Sequence, residues 1–111
     1  MTSLFVYGTL QPGGPNADVL APISGTWQKA TVSGRLVEAG WGAELGYPGL
    51  RLIQEGEAIE GSVLTSADLD TFWNELDAFE GAQYERVVTS VTLETGEDLT
   101  AFVYALRQWL P

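Results

Sequence analysis

The chain contains neither cysteine nor histidine. Without cysteine there is no disulfide framework, thiolate nucleophile, Cys-ligated zinc or iron–sulfur site, and the redox compartment leaves no mark on the composition. Without histidine, Ser/His/Asp and Cys/His catalysis, the HExxH zinc site and imidazole proton transfer are excluded, since each needs a ring nitrogen. Any general base has to be a carboxylate, a tyrosine or Lys29. Basic residues are scarce too: 5 Lys plus Arg stand against 15 Asp plus Glu, a formal charge of −10. Lys29, Arg35, Arg51, Arg86 and Arg107 are scattered singly and form no stripe, so nucleic acid and anionic membrane are poor partners for this chain. The acidity reads as a solubility device. No apolar run approaches the roughly 18 residues needed to span a bilayer, and the N-terminus lacks a basic segment followed by an apolar stretch and a cleavage site. The expectation is a cytoplasmic protein, with its oligomeric state left open.

What the chain does have is 111 residues, 45% of them hydrophobic. That suits one domain over residues 1–111, able to bury roughly two-thirds of the surface its unfolded form exposes. Ser3-Leu4-Phe5-Val6-Tyr7 is β-branched and aromatic enough for a buried first strand that stops at Gly8-Thr9. Residues 11–16, with two prolines and two glycines, predict a loop, and a short helical turn follows at residues 17–20. Residues 31–37 and 58–64 alternate as strands, and Tyr47-Pro48-Gly49 is turn chemistry leading into a strand over 50–53. A helix is predicted over residues 67–79: Ser66 as N-cap, Asp68 and Asp70 at the positive end of the dipole, and Leu69, Phe72, Trp73 and Leu76 at helical spacing. Gly81 reads as its left-handed cap. Residues 86–93 and 99–106, joined by Thr95-Gly96, read as a β-hairpin. The sum, five to seven short strands with one principal helix, is an α+β domain whose sheet can curl into a barrel.

The glycine-rich stretches carry neither GxxxxGK[ST] nor GxGxxG, and Gly13-Gly14 lies between prolines, so a nucleotide site finds no support. Tyr7, Gly8, Thr9 and Leu10 are a stronger candidate, because a strand delivers its backbone into a small-residue turn whose N–H groups can point at an anion. A plain strand end is the commoner meaning of such a segment. Glu80 is the second candidate: between Phe79 and Gly81 at the helix end, an apolar wall can desolvate its carboxyl and raise its pKa. Surface glutamates at helix ends are, again, commoner. Glu55, Glu57 and Glu60 lack calcium-loop spacing and read as a solvated face. Trp27, Trp41, Trp73 and Trp109, without interleaved basic residues, read as core and pocket walls rather than a stacking platform.

Taken in order, Leu4-Phe5-Val6-Tyr7-Gly8-Thr9-Leu10, Gly46-Tyr47-Pro48-Gly49-Leu50, Glu60-Gly61-Ser62-Val63, Leu76-Asp77-Ala78-Phe79-Glu80-Gly81 with Tyr84-Glu85-Arg86, and Ala101-Phe102-Val103-Tyr104 closely resemble the γ-glutamylcyclotransferase-like superfamily. The branch most similar is γ-glutamylaminecyclotransferase, and the resemblance runs over nearly the whole chain. It implies a small β-barrel flanked by helices with a pocket at one end. It also implies a lyase, formerly classed as an acyltransferase, that releases 5-oxoproline and uses neither cofactor nor metal. The catalytic acid/base of the LDxxEG segment falls on Glu80, the substrate-binding YGTL loop on Tyr7, Gly8, Thr9 and Leu10, and a pocket-lining tyrosine on Tyr104. Gln11-Pro12 stands where related chains often carry a basic residue, and no histidine follows Asn16.

The implied chemistry suits a chain without Cys or His. In a γ-glutamyl amide the substrate's own α-amino nitrogen can attack the γ-carbonyl and close a five-membered lactam, so the protein supplies a folded substrate, a carboxylate and oxyanion donors. The expectation is therefore an enzyme acting on a γ-glutamyl amine or γ-glutamyl amino acid. Two alternatives stand beside it: a non-catalytic member of the same fold that binds a small molecule or partner, and a related enzyme for another amide.

Overall fold

The first strand, β1 (Thr2–Val6), carries Leu4 and Val6 on one face and Phe5 on the other, all almost fully buried. A strand apolar on both faces needs cover on both sides. The structure is a computed structural model that describes residues 1–38 and 48–107, and it gives β1 that central place. Five further strands surround it: β2 (Thr26–Val37), β3 (Gly49–Leu52), β4 (Glu57–Ser66), β5 (Tyr84–Leu93) and β6 (Asp98–Leu106). β1 pairs antiparallel with β4 and parallel with β6, where Leu4 faces Phe102 and Phe5 faces Val103. The hydrogen-bonded order is β3-β2-β4-β1-β6-β5, and β2 also pairs with β5 through Ala30 opposite Leu93 and Thr31 opposite Thr92. Five strands thus close into a mixed barrel, while β3 extends β2 outside the ring. Closure leaves fewer backbone edges open than a flat sheet of this size would.

Period-2 alternation divides the core in two. Phe5, Val32, Ile59, Val63, Val91 and Val103 form one cluster inside the barrel, joined by Leu50 from β3. The opposite faces of β1, β4 and β6 present Leu4, Val6, Leu64, Tyr104 and Leu106 outward, where Leu20, Ile23, Leu69 and Leu76 cover them. Each such side chain, fully buried, contributes roughly 1.5–3 kcal/mol, so the outer layer binds its covering segments as firmly as the interior binds the barrel. Those segments are the connection after β1, with a 3-10 turn at Ala17–Val19, a second 3-10 turn at Leu69–Thr71, and the helix α1 (Trp73–Glu80).

The predicted α+β barrel is the fold found, with differences in its parts. β2 begins at Thr26, five residues before the alternation starts, because Thr26, Trp27, Gln28 and Lys29 are exposed and are held by backbone pairing to β4. The helix predicted over 67–79 is divided: Leu69–Thr71 is a 3-10 turn and α1 starts only at Trp73. Ser66 ends β4, and its hydroxyl accepts from the Asp68 N–H (3.0 Å) and donates to the Ser24 carbonyl. It therefore caps the turn and leaves Phe72 as the N-cap of α1. The Thr71 hydroxyl donates to the Asp68 carbonyl (2.8 Å), another local bond that competes with helical pairing. Gly81 has the expected positive φ (83°), but its ψ of −175° is the extended, glycine-only region rather than the left-handed helical one. Trp27 is exposed rather than in the core, whereas Trp73 is half-buried against Phe102. Trp41, Trp109 and the Gly46-Tyr47 part of the central motif lie outside the described residues.

Candidate active site

Where β1 ends, Tyr7, Gly8, Thr9 and Leu10 wrap over one end of the barrel. The Gly8 and Thr9 carbonyls accept from the N–H groups of Gln11 (3.2 Å) and Asn16 (2.9 Å), folding the proline-rich loop back on the turn. Tyr7 stays on the interior side with Phe5, two residues before it, their rings stacked at 6.4 Å. Its hydroxyl donates to the Tyr104 carbonyl (2.7 Å) and accepts from the Leu50 N–H (3.1 Å), tying β1, β6 and β3 together. Burial pushes the Tyr7 phenol above its usual range, so it stays protonated and serves as a strut.

Glu80 reaches the same place from α1. Residues four apart share a helix face, and Leu76, 1% exposed, directs that face into the outer core. Glu80, one turn later, is buried with it at 9% exposure. Desolvation raises its carboxyl to about pH 7, and its position at the negative end of the helix acts in the same direction. Gly81 then lets the chain leave at once in extended form toward β5.

All six residues singled out in the sequence, Tyr7, Gly8, Thr9, Leu10, Glu80 and Tyr104, line one pocket with a cavity volume of about 40 Å³. Sequence reasoning about the site missed Phe5, Val6, Pro48 and Tyr84, which complete the wall. The signal was present, since each belongs to one of the motifs quoted above. Two wider depressions lie elsewhere on the barrel, but their titratable side chains, Lys29, Glu60, Glu94 and Asp98, are all exposed. Glu55, Glu57 and Glu60 are exposed as well, and no group of three or more acidic side chains among the described residues is arranged to hold a metal ion. No helix among the described residues is long and apolar enough to cross a membrane.

Tyr104 lines the pocket with its ring and turns its hydroxyl away, donating to Asp77 Oδ1 at 2.7 Å. The same carboxylate receives Arg86, Nε on Oδ1 at 2.9 Å and Nη2 on Oδ2 at 3.2 Å. Arg86 and then Tyr104 hold the Asp77 carboxyl below its usual range, while burial and the Asp77 charge push the Tyr104 phenol up. Neither tyrosine hydroxyl is a proton carrier near neutrality. Glu80 is the pocket carboxyl whose protonation changes there.

The closed mixed barrel, with a pocket at one end and a buried carboxyl in its wall, has a fold that solved structures share. The mouse (Mus musculus) AIG2-like protein superposes with a TM-score of 0.74 at 25% identity, over 100% of this chain and 80% of its own. YkqA from Bacillus subtilis gives 0.72 at 28% identity, over 96% of this chain and 36% of its own. At3g28950.1 from Arabidopsis thaliana gives 0.72 at 23%, over 95% and 61%, a likeness of fold. The chain belongs to the family described as Gamma-glutamyl cyclotransferase, AIG2-like, which it matches over residues 4–110. A search of the curated proteins finds no match.

Proposed function

We propose that the protein cyclises a γ-glutamyl amine or γ-glutamyl amino acid to 5-oxoproline and releases the free amine, with Glu80 as general acid and base. The observation that carries this reading is one buried carboxyl, raised to about pH 7, in the same pocket as the turn formed by residues 7–10. Ionised Glu80 takes a proton from the substrate's α-ammonium. The freed nitrogen attacks the γ-carbonyl carbon, the C–N bond of the lactam forms, and negative charge gathers on the carbonyl oxygen. As that charge returns, the bond to the leaving nitrogen breaks and Glu80 gives that nitrogen the proton it holds, while the ring nitrogen sheds its own extra proton, which ends on the released amine as an ammonium. A carboxyl poised near pH 7 serves both steps better than a solvated one.

In this reading the amides of Gly8, Thr9 and Leu10 meet the substrate's negative groups, while Tyr7 and Tyr104 shape the pocket through their rings. Both hydroxyls are committed to partners in the protein. The nucleophile comes from the substrate, which is why a family chain without Cys or His remains competent. The test is 5-oxoproline release from a panel of γ-glutamyl amines and amino acids by the wild type and Glu80→Gln. Release by the wild type alone supports both the reaction and its base. No release from any member replaces the enzyme with a binding protein of the same fold.

A further inference from the structure

Beside the pocket, on the outer surface, three elements converge on one carboxylate that the proposed chemistry does not use. Asp77 comes from α1, one turn before Glu80; Arg86 and Tyr104 are direct cross-strand partners on β5 and β6. Asp77 accepts from the Tyr104 hydroxyl and, with both oxygens, from the Nε and Nη2 edge of the Arg86 guanidinium. That guanidinium lies 4.4 Å from the ring centre of Trp73 and 5.3 Å from that of Phe102. The two rings meet edge to face at 5.0 Å. Asp77 is 45% exposed and Arg86 27%, and ion pairs this open to solvent contribute little to stability. What this pair does provide is geometry: a planar fork, resting against two rings, holding the helix to the strand that carries a pocket wall.

We propose that Asp77, gripped by Arg86 and the Tyr104 hydroxyl, is a positioning residue for Glu80. It locks the last turn of α1 to β6 and, with Arg86, sets the charge that Glu80 faces. This rests on the reading of Glu80 given above. The other titratable groups that line the pocket with Glu80 are Tyr7 from the β1 end, Tyr84 from β5 and Tyr104 from β6, and Asp77 precedes it on its own helix. Arg86 stands behind Asp77. Arg107, whose Nε donates to the Ala82 carbonyl at 2.8 Å, sits on the connection that follows the helix. Asp77 and Arg86 are paired as opposite charges. Removing either partner leaves a net charge about one helical turn away.

The experiment follows the Glu80 carboxyl by 13C NMR titration, assigned with Glu80→Gln, in the wild type, Asp77→Asn, Arg86→Gln, Arg86→Lys and Tyr104→Phe. Alongside it, kcat and KM are measured on a γ-glutamyl substrate. Asp77→Asn should lower the Glu80 midpoint and Arg86→Gln raise it, each by roughly half a unit, as expected for a charge about 6 Å away in a largely solvated setting. Arg86→Lys should return the midpoint toward the wild-type value while recovering only part of kcat, since an ammonium restores charge but not the fork. Tyr104→Phe should leave the midpoint in place and lower kcat about 10-fold with KM within about 2-fold. Equal midpoints in all variants, or unchanged kcat in Tyr104→Phe, would overturn the proposal. A wild type inert on every γ-glutamyl compound would instead remove the reading of Glu80, and the titration would still decide whether the pair governs its charge.

Discussion

Glu80 carries the account because it is a carboxyl in the wrong place for a surface glutamate. Leu76 draws it inward, Gly81 frees the chain to leave, and desolvation moves its midpoint to about pH 7. Glu80→Gln keeps the shape and removes the proton, so turnover should fall at least about 100-fold with the far-UV circular dichroism unchanged. Since the base must be ionised, wild-type kcat/KM should rise with pH on an acid limb centred near 7; a limb near 4.5 would place a solvated carboxylate in the role. At the other wall, Gly8→Val puts a branched side chain on the turn and should raise KM. An unchanged KM would count against the turn as a binding element. Apart from the LDxxEG resemblance, the sequence marks Glu80 only by an aromatic neighbour and a helix boundary, and local pattern cannot tell a buried carboxyl from an exposed one. Burial comes from Leu76, Tyr84 and Tyr104, which meet only in the folded chain.

The helix and the strands were readable to different depths. β1, β4 and β6 bury alternate faces, and their periodicity appears plainly in the residues. The first four residues of β2, Trp27 among them, are exposed on both faces and are held by backbone pairing, so burial periodicity has nothing to show there. The helix was placed correctly at its end and too early at its start, because Ser66 and Thr71 spend their hydroxyls on turn geometry that also satisfies a capping pattern. Gly81 is where the element depends most on one residue. Its φ is 83°, and the space that a methyl group would enter is open, so Gly81→Ala meets backbone strain and no clash. The expected cost is about 1–2 kcal/mol in urea unfolding, with part of the activity lost through a displaced Glu80. Wild-type stability in that variant would show that the chain leaves the helix another way.

For the molecule as a whole, the buried acid and the clamped acid act oppositely on stability. Glu80 is raised in the folded state, so its contribution is full below the ordinary carboxyl range and is lost as pH rises from about 4.5 to about 7, on the order of 3 kcal/mol. Asp77 is lowered, so what it contributes is present near neutrality and lost as pH falls through the acid range. Glu80→Gln should therefore be more stable than the wild type at pH 8, with the gap narrowing toward pH 5, as read by denaturant melts at both. Lower stability near neutrality is the usual cost of holding a titratable group in an apolar wall. The barrel and its family were readable from motif order along the chain. The pocket was readable only as two separate segments, and their meeting at one barrel end depends on β1 lying between β4 and β6.

The most direct measurement is product analysis in water enriched in 18O, with a γ-glutamyl substrate that the wild type turns over. Attack by the substrate's own nitrogen predicts 5-oxoproline and free amine in equal amounts, no label in either product, and no effect of EDTA on the rate. Glutamate carrying 18O would mean that water is the nucleophile, and would contradict the cyclisation that Glu80 is placed here to serve.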